Sequence, residues 1–232
     1  MDNKIISGSS AQLSESSFIS KVFLWMSFGL VLSTLASFAL LSQPAMLRTI
    51  LGNQLVFFGV IIAEIGLVIW LSVRLQAMSA ALASTIFCVY SILNGVTVSV
   101  ILLAYTGASV MQTFAVTAGT FFFFSLYGLT TKKDLTSMGG LAMMALIGVI
   151  IASLVNVFLK SSGLMWVITF VGIAIFVILV AYDTQKLKAL YAMGFENADI
   201  EKKIVIMGAL ALYLDFINLF MMLLRIFGKR RD

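Results

Sequence analysis

The sequence predicts an all-α integral membrane protein, a bundle of seven transmembrane helices, and two observations carry that expectation. The first is composition: 61% of the 232 residues are hydrophobic and only 11% are charged, with a mean hydropathy of +1.10. A soluble domain carries about a quarter charged residues, and less than half of that does not solvate a surface of this size. The second is patterning. The apolar residues come in long blocks without period-2 alternation, which fits helical spans rather than the strands of a barrel. The single proline, Pro44, agrees with mostly unbroken helices.

A span needs about 20 mainly apolar residues. Blocks of that kind fall at 22–42, 55–73, 80–104, 110–130, 139–159, 164–185 and 204–228. Residues 1–17 form a polar N-terminal tail without the pattern of a cleaved signal peptide, and 18–232 reads as one transmembrane domain. The longest hydrophilic connection, 186–203, is too short to hold a core of its own.

Basic residues orient the helices. With the N-terminus in the cytoplasm, that side receives nine Lys and Arg, from Lys4 to Lys203, and the opposite side six. The tail residues Arg225, Lys229, Arg230 and Arg231 are on the minority side. A re-entrant last segment would change the count to thirteen against two, but 25 residues are ample for a full, tilted crossing, and a full seventh helix is expected. The implied location is a membrane crossed several times, with the lipid bilayer as surroundings. No nucleic-acid partner is indicated.

Absences narrow the chemistry. There is no histidine, which removes histidine switching, histidine metal ligation and Ser-His catalysis. The lone Cys88 lies in an apolar block and reads as a small hydrophobe. No phosphate-binding GxxxxGK[ST] loop is present, which argues against a primary pump. No cofactor or metal site is expected.

Acids inside the blocks then stand out, because a charged group at a helix centre costs on the order of 3 kcal/mol and such residues normally face the bundle interior. Glu64 lies near the middle of the second block, Asp183 near the end of the sixth, and Asp215 within the seventh. Asn94, Gln112, Asn156 and Asn218 are neutral polar neighbours that either tie helices together or line a path. Glu64, Asn94 and Asn218 are the candidate ion path. Rise alone puts Asp215 about 10 Å deeper than Asp183, so a contact between them needs a displaced helix. If they meet, two like charges in a low-dielectric site share a proton, and the pair becomes a latch on a cation path.

Four stretches, AYDTQKLK (181–188), LYLDFINLFMMLLRIFG (212–228), YSILNGVTVS (90–99) and SLYGLTTKKDL (125–135), resemble the hallmarks of the Bax inhibitor-1 family, in its bacterial inner-membrane branch. The resemblance runs from about residue 18 to the C-terminus. It implies seven helices with the last one central, and a passive, pH-sensitive calcium leak gated by Asp183 and Asp215. The family's basic residue at the end of the second helix is matched by Arg74. Calcium is then the permeant ion, and the chain is not an enzyme. The alternative implied by the family is regulation without transport, through a membrane-anchored AAA protease or a stress or cell-death response. An intramembrane aspartyl protease is a further reading of two aspartates on adjacent helices, but the second lies in LYLDF without the preceding glycine of the GxGD pattern.

Overall fold

The computed structural model describes residues 2–231, with side chains described at all of these except 2–13, 51 and 57. Eight helices follow one another: α1 (Asp2–Leu41), α2 (Pro44–Gly52), α3 (Gln54–Arg74), α4 (Ala80–Leu102), α5 (Gly107–Thr130), α6 (Thr136–Leu159), α7 (Ser162–Ala192) and α8 (Ala198–Phe227), with a 3-10 turn at Leu75–Ala77. All but α2 are long and apolar enough to cross a membrane, which accounts for all seven expected spans. α2 lies in the first connection and starts on Pro44, where a fixed φ and a missing N–H suit the first helical turn.

Helix ends are set by short polar residues. Asn53 Oδ1 accepts from Leu55 and Val56 N–H at the start of α3, and Ser79 Oγ accepts from Leu82 N–H at the start of α4. The expected hydrophilic connection at 186–203 is largely helical. Its Lys, Leu, Ala and Glu are good helix formers, so α7 and α8 extend into it from both sides and leave only residues 193–197 between them. Gly194, at φ 79°, permits the left-handed turn beyond α7. Asn197 Oδ1 then accepts from Asp199 and Ile200 N–H, each at 3.0 Å, to open α8.

The chain divides into two compact units. The first comprises α1 to α4 up to Ala104, together with Leu190–Tyr213; the second comprises Tyr105–Ala189 and α8 from Leu214 onward. In the first unit, α1 and α4 meet through small residues. A Cβ on Gly95 would collide with the Ser33 backbone, and Ser37 Oγ donates to Gly95 O at 2.5 Å. Close backbone approach of this kind is what holds helices together where water supplies no driving force. Phe87 and Tyr90 both pack edge-on against Tyr213, at 5.9 Å between ring centres.

In the second unit, Gly128 of α5 lies against the backbone of Ala181, and Gly139 of α6 lies against the Tyr182 ring. Phe216 sits between Phe114 and Phe121, with centroids at 5.3 and 5.5 Å. The four-phenylalanine run is sorted by helical phase: Phe121 is buried, whereas Phe122 and Phe123 face outward. The chain end returns to the start of α5, where Thr106 N–H donates to Lys229 O at 2.8 Å and Tyr105 forms a bridge with Arg230. The second half of α8 therefore runs unbroken toward the end of the unit where α5 begins, as a full crossing requires. α8 is also the most buried span, with 61% of its most apolar window enclosed, compared with 6% in α3.

Candidate functional site: an aspartate pair

The second unit brings Asp183 and Asp215 together. Their carboxyl groups lie within side-chain hydrogen-bond reach of each other. Asp183 is nine residues from the end of α7 and Asp215 seventeen from the start of α8, a mismatch of about 12 Å in rise. The side chains take up part of it, because Cβ bonds tilt toward a helix N-terminus and those of antiparallel helices lean toward each other.

The surroundings of the pair are fixed by neighbouring residues. Gly128 brings α5 against Ala181, two residues before Asp183. Gln185, two residues after it, donates from Nε2 to Lys133 O and accepts at Oε1 from Leu135 N–H, both at 2.8 Å, fastening α7 to the α5–α6 connection. Lys186 Nζ stands 5.8 Å from the Tyr182 ring centre and within electrostatic range of Asp183. Asp215 is 5% exposed, and its Oδ2 has no hydrogen-bond partner among the described residues. Asn218, one turn further along α8, donates to Leu214 O of its own helix at 2.8 Å.

The other candidates belong to the first unit. Glu64 is 8% exposed; it accepts from Thr97 Oγ1 at 2.5 Å and is hydrogen-bonded to the Asn94 side chain. Asn94 Oδ1 accepts from Tyr213 OH at 2.9 Å, and that hydroxyl lies 2.7 Å from Ser33 Oγ. Ser33 in turn reaches Ser91 O at 2.7 Å. Glu64 and Asn94 are thus joined in one partly buried network that draws on α1, α3, α4 and α8. Arg74 ends α3, is exposed, and takes part in no ion pair among the described residues. Of the neutral candidates, Asn156 caps the turn after α6 by accepting from Ser161 N–H at 3.0 Å, and Gln112 is exposed.

Sequence reading missed Ser33, Thr97, Tyr213 and Gln185 as partners of these groups. For Gln185 and Tyr213 a signal existed, since each is two residues from an aspartate inside a quoted stretch. Nothing in the sequence distinguishes Ser33 from the other hydroxyl residues of α1.

Seven helices long and apolar enough to cross a membrane define a polytopic α-helical membrane protein. The chain belongs to the Bax inhibitor-1 family: the family described as "Inhibitor of apoptosis-promoting Bax1" matches residues 15–232. Among similar proteins, "Inner membrane protein YbhL" of Escherichia coli K12 is 47% identical over 92% of each chain. An "Uncharacterized protein" of Borreliella burgdorferi is 42% identical over 95% of each. "Uncharacterized protein RP147" of Rickettsia prowazekii is 41% identical over 93% of this chain and 90% of its own.

Proposed function

We propose that the protein is a passive, pH-sensitive leak for calcium, latched by Asp183 and Asp215. The observation that carries this reading is the contact of two carboxyl groups, one buried, in the interior of a membrane unit. Ionised carboxylates only accept hydrogen bonds, so a contact at this range holds when one proton is kept between them. With the proton in place, α7 and α8 are tied. Once it leaves, two like charges in a low-dielectric setting repel and the tie opens. Flux therefore rises with pH. In this role the aspartates hold and release a proton and break no peptide bond.

Glu64 and Asn94, with the hydroxyls of Thr97 and Tyr213, offer oxygen ligands suited to a hard cation, and binding by so few groups is weak enough to release it. We place the protein in the inner membrane with its N-terminus in the cytoplasm. The Escherichia coli relative, named an inner membrane protein, and the majority of basic residues on that side support this placement.

The test is calcium flux into proteoliposomes across pH. Wild type should show a pH-dependent flux, while Asp183→Asn and Asp215→Asn should each give a flux that no longer changes with pH. Wild-type pH dependence in both variants would overturn the latch.

A further inference from the structure

At the end of α5 the chain turns through Thr131–Leu135 into α6, and Gln185 holds this turn through Lys133 O and Leu135 N–H. A cavity of about 310 Å³ lies between the turn and α7, and its lining includes Lys132, Lys133, Asp134, Tyr182, Gln185 and Lys186. Three ammonium groups thus face a single carboxylate. Asp134 is already engaged, because it accepts from Thr136 N–H at 2.9 Å. Hydrogen bonds from the Thr136 side chain and N–H hold its carboxyl below the usual carboxylate range. Neither Lys132 nor Lys133 takes part in an ion pair among the described residues, and Lys186 lies over the Tyr182 ring.

A second cavity shows the contrast. It measures about 670 Å³ and lies in the first unit, lined by Lys21 and Lys202 but also by Asp199 and Glu201. There the charges balance, and Lys21 already pairs with Glu201 at 2.7 Å. The cavity at Lys132 keeps an excess of positive charge on a turn held in place by Gln185.

We propose that this cavity seats the phosphate headgroup of an anionic phospholipid. Its position selects a lipid as the occupant. The turn marks the membrane–water boundary, and α6, which starts there, presents Met138 and Leu141 outward at 50% and 65% exposure. A phosphate held by the lysines leaves its acyl chains along that apolar face. Tyr182 supplies the amphipathic ring that such a boundary favours. Each lysine contributes roughly fivefold to affinity, by the usual worth of a basic residue near an anionic surface. The inference does not rest on the latch, although Lys186 also lies within electrostatic range of Asp183, and it holds whether or not the protein conducts calcium.

The test uses the full chain, purified and offered phosphatidylglycerol or phosphatidylcholine of matched acyl chains, with retained lipid read by native mass spectrometry. Wild type should keep phosphatidylglycerol in preference to phosphatidylcholine. The exposed triple substitution Lys132→Gln, Lys133→Gln, Lys186→Gln should lower that retention on the order of a hundredfold, while Lys21→Gln should leave it unchanged. Equal retention of both lipids, or equal loss in Lys21→Gln, would overturn the proposal. So would displacement of phosphatidylglycerol by inorganic phosphate at equal concentration, since the site would then take soluble phosphate without need of a lipid.

Discussion

Asp215 Oδ2 is a buried acceptor without a hydrogen-bond partner among the described residues, and a group in that state costs about 1–3 kcal/mol. An amide at this position keeps the shape, brings its own donor to Asp183 and removes the like charge. Asp215→Asn should therefore raise the thermal midpoint in detergent at neutral pH while flux loses its pH dependence; a lowered midpoint would count against the account of Oδ2. Tyr213 is the opposite case. Its hydroxyl joins Asn94 to Ser33, and hydrogen bonds between membrane helices average about 0.6 kcal/mol. Tyr213→Phe should destabilise by about 1 kcal/mol, and Ser33→Ala should add less in that background than in wild type. Additive losses in equilibrium unfolding would show that the two hydroxyls act separately.

Among elements, the helices pack at glycines whose roles differ sharply. Gly95 admits the backbone of Ser33, whereas Gly140 has no atom within 4 Å of the place where its Cβ would be. Gly95→Leu should abolish the folded, monodisperse protein, and Gly140→Leu should leave it intact, as judged by size exclusion of membrane extracts. The seven spans were legible from hydropathy because lipid demands uninterrupted apolar length. The extensions of α7 and α8 into 186–203 were not, because polarity shows only that a segment leaves the lipid. Residues such as Lys186, Lys188, Glu201 and Lys202 are at ease on a helix in water. Counting rise left the meeting of Asp183 and Asp215 undecided, because the way α7 sits among its neighbours, with Gly128 against Ala181 and Gly139 against Tyr182, is encoded by no single helix.

For the whole molecule, the pairing of Thr106 with Lys229 has a topological meaning. Cysteines placed at Thr106 and Lys229, in a Cys88→Ser background, should react with an impermeant maleimide from one side of the membrane, and a cysteine at Lys133 from the other. Labelling of Lys229 and Lys133 from the same side would restore the re-entrant alternative that the basic tail suggested. The charge count could not settle this, because four basic residues at the tail oppose the rule that the other loops obey.

The division of α8 at Tyr213 and Leu214 also bears on biosynthesis. Each unit draws on one half of α8, which is made after the seven helices that precede it. Neither can close while the first seven helices are being inserted, and the bond to Lys229 waits until α8 has been made. A nascent chain halted before α8 would hold Glu64 and Asp183 in the bilayer without their final covering. The turnover of such a chain would reveal whether α8 acts as the cell's signal that both units are covered.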